Sequence, residues 1–154
     1  MEFKHVMSRW DERFLELAET ISSWSKDPST QVGAVIVRPD RTVASMGFNG
    51  FPHSMPDHQQ WLDNREEKYS RMIHAEINAV LHLRERANGY TIYTYPFMPC
   101  DRCMVQLAQS GIAHIKSYIN TNERWEETFR KAKVYATQCG ITLKLFDPAT
   151  RMTA

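Results

Sequence analysis

The sequence predicts an α/β fold, a three-layer α/β/α sandwich built on a five-stranded mixed sheet. Helical and strand-like hydrophobic patterns alternate along it in the order α-β-β-α-β-α-β-α-β, and such alternation implies a sheet covered by helices on both faces. The first strand, Gln31 to Val37, is apolar at nearly every position, as expected for a strand buried on both sides. The turn Pro39-Asp40-Arg41 joins it to a second strand, so one pair is antiparallel, whereas the later helical crossovers favour parallel pairs with right-handed connections. At 154 residues the chain is expected to form one domain, residues 1–154.

The first helix should start after Ser8, with Asp11 three residues on completing a capping box. Trp10, Phe14, Leu17, Ala18 and Ile21 then recur at helical spacing as one buried stripe. Asp27-Pro28-Ser29-Thr30 breaks the pattern before the first strand, and Thr42 to Gly47 reads as its hairpin partner. From Phe48 to Ser70 the chain is polar and irregular, with Pro52 and Pro56. A connection of that length in a compact domain is usually functional or mobile, and Asp57 to Ser70 could form a short polar helix. A helix is expected over His74 to Arg86, with Ile77, Val80, Leu81 and Leu83 apolar and Asn88-Gly89 closing it. Tyr90 to Tyr95 is a strand rich in β-branched and aromatic residues. Pro96 and Pro99 lead to a helix from Cys100 to Gly111, and Ile112 to Ile119 is the fourth strand. Thr121 or Asn122 caps a longer helix through Cys139, ended by Gly140. Ile141 to Phe146 is the last strand.

Nineteen Lys and Arg against eighteen Asp and Glu give a net charge of +1, with the signs interleaved. A polyanion-binding domain usually shows a basic stripe and a pI above about 9, so the pI near 7.8 favours a small-molecule partner over nucleic acid. No long apolar run suggests a membrane span, and no signal-like segment follows the N-terminus. The cysteine count is odd, three, and two of them form a CxxC. That pattern fits a reducing compartment, the cytoplasm, with metal or redox chemistry rather than a disulfide framework.

The chemistry-bearing residues are His74-Ala75-Glu76 and Pro99-Cys100-Asp101-Arg102-Cys103. His74 and Cys100 each fall at a predicted helix start, where partial positive charge favours thiolate over thiol. Cys100 and Cys103 are three apart, so both sulfurs can reach one ion. Two thiolates and one imidazole suit tetrahedral zinc, and three protein ligands leave a position for water. A redox CxxC would not require the histidine and glutamate, and a structural zinc would want a fourth ligand. Cys139 is far along the chain and reads as a small buried hydrophobe. Glu76 could be a first-turn acid complementing the helix dipole, or the proton shuttle of a zinc hydrolase.

His74-Ala75-Glu76 and Pro99-Cys100-x-x-Cys103 resemble the signature of the zinc-dependent cytidine deaminase superfamily. Ser25-Lys26-Asp27-Pro28, Gln31-Val32-Gly33-Ala34, Gly47-Phe48-Asn49-Gly50-Phe51-Pro52 and His74-Ala75-Glu76-Ile77-Asn78-Ala79 are similar to its deoxycytidylate (dCMP) deaminase branch. The resemblance covers Trp10 to Phe146 and implies the cytidine deaminase-like form of the predicted fold. It also implies one zinc per chain and hydrolytic conversion of dCMP to dUMP and ammonia in pyrimidine deoxynucleotide metabolism. Zinc lowers the pKa of a water in its open position toward 7. Glu76 would take that water's proton, pass it to the ring nitrogen beside the attacked carbon, and return a second proton to the departing ammonia. Asn49 maps onto the family's sugar-contacting asparagine, although Asn49-Gly50 also reads as a tight turn. Ala75, at the helix start, is a candidate substrate contact through its backbone. Lys26 is the first candidate for the 5′-phosphate and Arg124 the second, each equally readable as a solvated charge. A homo-oligomer is expected by the same resemblance, with Trp125, Phe129 and Tyr135 either an assembly surface or core. His53-Ser54-Met55-Pro56 after Pro52 departs from the pattern associated with nucleotide regulation in the branch. Alternatives are a modified dCMP, free (deoxy)cytidine or a transfer-RNA adenosine as substrate, or a zinc-stabilised module that only binds nucleotides.

Overall fold

A computed structural model describes residues 6–151. Its elements are α1 (Arg9–Ser22), β1 (Gly33–Val37), β2 (Val43–Phe48), α2 (Gln59–Leu62), α3 (Arg65–Arg71), α4 (Ala75–Leu81), β3 (Thr91–Tyr95), α5 (Asp101–Ser110), β4 (His114–Tyr118), α6 (Glu126–Gln138) and β5 (Thr142–Phe146). The sheet order is β2-β1-β3-β4-β5. β1 runs antiparallel to both neighbours, and the other pairs are parallel. β2 and β3 therefore point the same way with β1 between them, so all three helical crossovers connect parallel strands. This is the mixed five-stranded sandwich that the alternation of patterns predicts.

Neighbouring residues of β1 serve opposite layers, which explains its uninterrupted apolar run. Val35 and Val37 pack with Phe14, Leu15, Ala18 and Ile21 of α1, and with Tyr93, Tyr118 and Phe146. Ala34 and Ile36 pack on the other face with Ala75 and Ala79 of α4, Met104 and Leu107 of α5, and Phe129, Ala132 and Ala136 of α6. The helices sit very close to the strands at two glycines. A Cβ on Gly33 would lie 2.0 Å from the Ala18 carbonyl oxygen, and one on Gly47 would lie 2.5 Å from the Ala79 nitrogen. Gly33→Ala should lift α1 from the sheet and cost about 3 kcal/mol or more, read as a lower urea midpoint at unchanged m-value.

The capping box is present, with the Ser8 hydroxyl accepting from the Asp11 N–H and Asp11 accepting from the Ser8 N–H. The other Asp11 oxygen reaches under α1, accepting from the Tyr93 hydroxyl at 2.7 Å and from Lys116 Nζ at 2.8 Å. Burial alone would raise this carboxyl's pKa, but the hydrogen bonds from Lys116 and Tyr93 outweigh it and hold the group below the usual carboxylate range. Because the folded pKa is the lower one, the stabilisation is complete above the unfolded value of about 4. It is lost as pH falls through the folded value. Asp11→Asn should cost roughly 2 kcal/mol at neutral pH. The gap from wild type should narrow on acidification, which urea titrations at a series of pH values would show.

The structure departs from the sequence pattern at identifiable places. β1 starts at Gly33 rather than Gln31, because the Val32 N–H is taken by the Asn49 side-chain oxygen at 2.9 Å. The polar stretch forms two short helices, α2 and α3, with Asn64 capping the second through the Glu67 N–H. α4 stops at Leu81, five residues before the predicted Arg86. The chain then tightens, with the Leu83 N–H donating to the Val80 carbonyl, and Glu85 is held by Arg38 and Tyr90. Asn122 caps a 3-10 turn, Glu123–Trp125, ahead of α6. Cys139, the C-cap of α6, is exposed rather than buried, lying beyond Ala132 and Ala136, which carry the helix's buried face. Phe129 is buried, and Trp125 and Tyr135 pack against the core, so these residues face inward. Among the described residues no helix is long and apolar enough to cross a membrane.

Candidate metal centre and active-site pocket

His74 and Cys100 are the N-cap residues of α4 and α5. The chain reaches His74 through an isolated antiparallel bridge, in which the Gly50 N–H donates to the Ile73 carbonyl at 3.1 Å and the reverse bond is 2.8 Å. This bridge holds Asn49 and Gly50 beside the start of α4, and neither has a positive φ, so the tight turn that the dipeptide suggests is not formed. Pro96 and Pro99 end β3 and deliver Cys100 to the start of α5, where its sulfur accepts from the Cys103 N–H at 3.4 Å. Cys103 lies in the first turn of α5 and is buried.

These elements bring one imidazole and two sulfurs together. His74 Nδ1 is 3.2 Å from Cys103 Sγ and 3.7 Å from Cys100 Sγ. All three ligand atoms lie within 4.8 Å of one another, a group not repeated among the described residues. Tetrahedral zinc with ordinary bond lengths places nitrogen and sulfur about 3.5 Å apart, so the set fits that ion. Without metal the two cysteines divide one charge. Cys100 is drawn down to about 4, first by the hydrogen bond with Cys103 and then by His74. Cys103 is pushed up by the same bond and by burial. The hydrogen bond to Cys100 raises His74 above the ordinary histidine value, against its burial.

Glu76 is the second residue of α4, in its first turn, and is buried. Burial pushes its carboxyl up to about 7, with His74 pulling it partly back; a bound divalent cation would draw it lower still. A cavity of about 110 Å³ opens onto Glu76, His74, Ala75 and Cys100. Its lining also includes aromatic residues, Tyr69, Phe97, Trp125 and Phe129, and polar ones, Asp27, Asn49 and Lys68. Phe97 packs against Trp125 and Phe129 with ring centroids 5.3 and 5.5 Å apart.

The other sequence candidates divide between two places. Asn49 lines the Glu76 cavity, but its amide is already committed: the oxygen accepts from Val32, and the nitrogen donates to the Thr30 carbonyl at 2.9 Å and towards Asp27 at 3.4 Å. Ala75 is fully buried in the wall. Arg124 does not line the cavity but touches two residues that do, donating to the Tyr69 hydroxyl at 3.2 Å and lying 4.8 Å from the Trp125 ring centroid. Lys26 is paired with Asp57 at 2.7 Å. It lines a second cavity of about 490 Å³, together with Trp24, Phe48, His53 and His82, which contains none of the metal ligands and not Glu76 but shares Asp27, Asn49 and Met72 with the first. The sequence did not single out Lys68, which forms a buried ion pair with Asp27 at 2.9 Å. In a polar stretch its charge reads as solvated, and no spacing marks it. The aromatic wall carried a fainter signal, Phe97 just before Pro99-Cys100 and Trp125 just after the fourth strand.

The profile of the family described as the cytidine and deoxycytidylate deaminase zinc-binding region matches residues 8–119. The chain belongs to this family. As a family member it is a zinc-dependent hydrolytic deaminase, with His74, Cys100 and Cys103 placed to hold the ion. An uncharacterised deaminase of Aliivibrio fischeri is 40% identical over 139 residues, covering 88% of this chain and 92% of that protein. The deoxycytidylate deaminase of Mus musculus is 31% identical over 145 residues, covering 90% and 80%. The dCMP deaminase of cyanophage S-TIM5, crystallised with dCMP and dUMP, superposes with a TM-score of 0.72 at 21% identity. That match covers 92% of this chain and all of the phage protein, and it shows the same deaminase-family fold.

Proposed function

We propose that this deaminase converts dCMP and water to dUMP and ammonia, acting as one catalytic domain. The observation that carries the reading is the buried Glu76 carboxyl opening onto the same small cavity as His74 and Cys100. Identity to curated deoxycytidylate deaminases supports dCMP as the substrate. A zinc held by His74, Cys100 and Cys103 supplies Lewis acidity and an activated water.

The chain's own residues do the rest. Glu76 takes a proton from water and delivers it to the pyrimidine ring nitrogen, then takes the second proton from the hydroxyl added to the ring carbon and passes it to the amino group, which leaves as ammonia as the carbonyl forms. Its burial among apolar walls leaves few competing partners for that proton. Phe97, Trp125 and Phe129 give the flat base an apolar surface and exclude water. Asn49 presents the remaining lone pair of its oxygen to the sugar and, through Val32 and Thr30, keeps the wall in shape. The Ala75 N–H lies at the start of α4, where unpaired backbone donors favour developing negative charge. Arg124, held against Tyr69 and Trp125 of the cavity wall, is favoured for the 5′-phosphate over Lys26, which is tied to Asp57. Three unpaired cysteines fit a reducing compartment, the cytoplasm. Exposed Trp24, Met46, Phe48 and Leu81 offer an apolar surface for a homo-oligomer.

Ammonia release from dCMP, deoxycytidine, CMP and a transfer-RNA anticodon stem-loop, measured in parallel on zinc-loaded protein, tests this reading. Turnover of dCMP should exceed that of deoxycytidine, which lacks the phosphate, by about 100-fold or more in kcat/KM, the scale of a charge-assisted hydrogen-bond set. Silence on dCMP with turnover of another compound would replace the substrate and keep the chemistry.

A further inference from the structure

Lys68 is the one lysine fully buried among the described residues, with its side chain 5% exposed. A buried cation carries a desolvation cost that an apolar side chain of similar size would avoid, so its position calls for a reason. An ammonium has three donors. Among the described residues Lys68 has one hydrogen-bond acceptor, Asp27 Oδ1 at 2.9 Å.

Asp27, in contrast, is well supplied without the lysine. The same oxygen accepts from the backbone N–H groups of Ser29 at 2.8 Å and Thr30 at 3.2 Å, and the other oxygen faces Asn49 Nδ2 at 3.4 Å. Those dipoles absorb much of the carboxylate's charge and leave the ammonium with positive charge to offer. Both residues line the cavity that contains Glu76. Tyr69 extends the wall from there, with Lys68 Nζ 5.5 Å from its ring centroid and Arg124 bonded to its hydroxyl. One cation thus lines the cavity on the ring side of Tyr69, and a second, Arg124, is held at the Tyr69 hydroxyl.

We propose that the Lys68 ammonium is a substrate-binding group that takes an oxygen of the 5′-phosphate inside the cavity, with Arg124 meeting the same phosphate from beside Tyr69. The proposal rests on the reading of the substrate as a deoxynucleoside monophosphate. Asp27 orients the ammonium, and through Asn49 the same carboxylate ties the phosphate end of the site to the sugar end. Selection for a phosphorylated substrate then comes from a buried cation of α3, not from the exposed Lys26.

The test compares dCMP with deoxycytidine in wild type and in Lys68→Gln, a variant able to keep a hydrogen bond to Asp27. Loss of one buried charge-assisted contact should raise KM for dCMP and reduce the dCMP-to-deoxycytidine ratio of kcat/KM about 30-fold or more. A structural defect would lower both substrates together, and an unchanged ratio would overturn the proposal. A wild type silent on dCMP would instead defeat the substrate reading itself. Should the glutamine variant not fold, nitrogen NMR of the lysine ammonium groups in the wild type decides. Adding dUMP should shift the slowly exchanging Lys68 resonance, while deoxyuridine should not. Equal responses to the two compounds would overturn the proposal.

Discussion

Glu76→Gln should abolish turnover, lowering kcat by about 10⁴-fold, while zinc content and fold remain those of the wild type. The amide fills the same space on α4 but can neither accept the proton of water nor deliver one to the base or to the leaving amine. Because one carboxyl serves both transfers, the effect belongs at the upper end of what acid–base catalysis contributes. Glu76 is not one of the three ligand residues, so zinc measured by atomic absorption should stay at one per chain. Stability carries a second signature. In the zinc-free protein burial raises the carboxyl from 4.5 to about 7, so the folded state holds a proton that the unfolded chain has released. Relative to zinc-free Glu76→Gln, zinc-free wild type should therefore lose stability as pH rises from 4.5 to 7, since Cys100 and His74 titrate in both proteins and Glu76 in one. A catalytic carboxyl kept out of water works against the fold that holds it.

Removal of zinc, or Cys103→Ala, should have the second largest effect, on activity and stability together. Cys103 is buried, and its sulfur is the one nearest His74 Nδ1. Without it two ligands remain, too few to close the site. A chelator should silence the wild type and lower its stability by about 3 kcal/mol or more, as expected for a ligand present at a hundredfold excess over its Kd. Added zinc should restore both properties in the wild type and neither in Cys103→Ala. The cores on the two faces of the sheet do not depend on the ion, so the zinc-free chain should melt cooperatively at a lower temperature. Loading the ion displaces the proton that Cys103 holds, so zinc affinity should weaken as pH falls. A competition titration with a coloured chelator at several pH values would measure that slope.

Much of this molecule is legible in its sequence because the signals are local. The Ser8/Asp11 capping box, the all-apolar β1, and the glycines that follow α5 and α6 each report on their own neighbourhood. The metal ligands are legible for the same reason, since a histidine and a CxxC at helix starts carry their chemistry in their spacing. What the sequence hides is non-local. The early end of α4 depends on Glu85 finding Arg38 and Tyr90, residues from two other segments. The start of β1 depends on a side chain 17 positions away, Asn49. Lys68 reads as a surface charge until Asp27, 41 positions earlier, is placed beside it. Lys26 and Arg124 are both candidate phosphate partners in the sequence, and only the fold puts Arg124 against Tyr69 and Trp125 of the cavity wall and Lys26 against Asp57.

Incubating dCMP with zinc-loaded protein in water enriched in oxygen-18 tests the central claim most directly, with Glu76→Gln as the parallel sample. Wild type should yield dUMP carrying one heavy oxygen on the ring carbon that lost the amine, with one ammonia released per dUMP. The variant should return dCMP unchanged. Unaltered dCMP from wild type at full zinc occupancy would contradict the account, and so would labelled dUMP from Glu76→Gln at the wild-type rate.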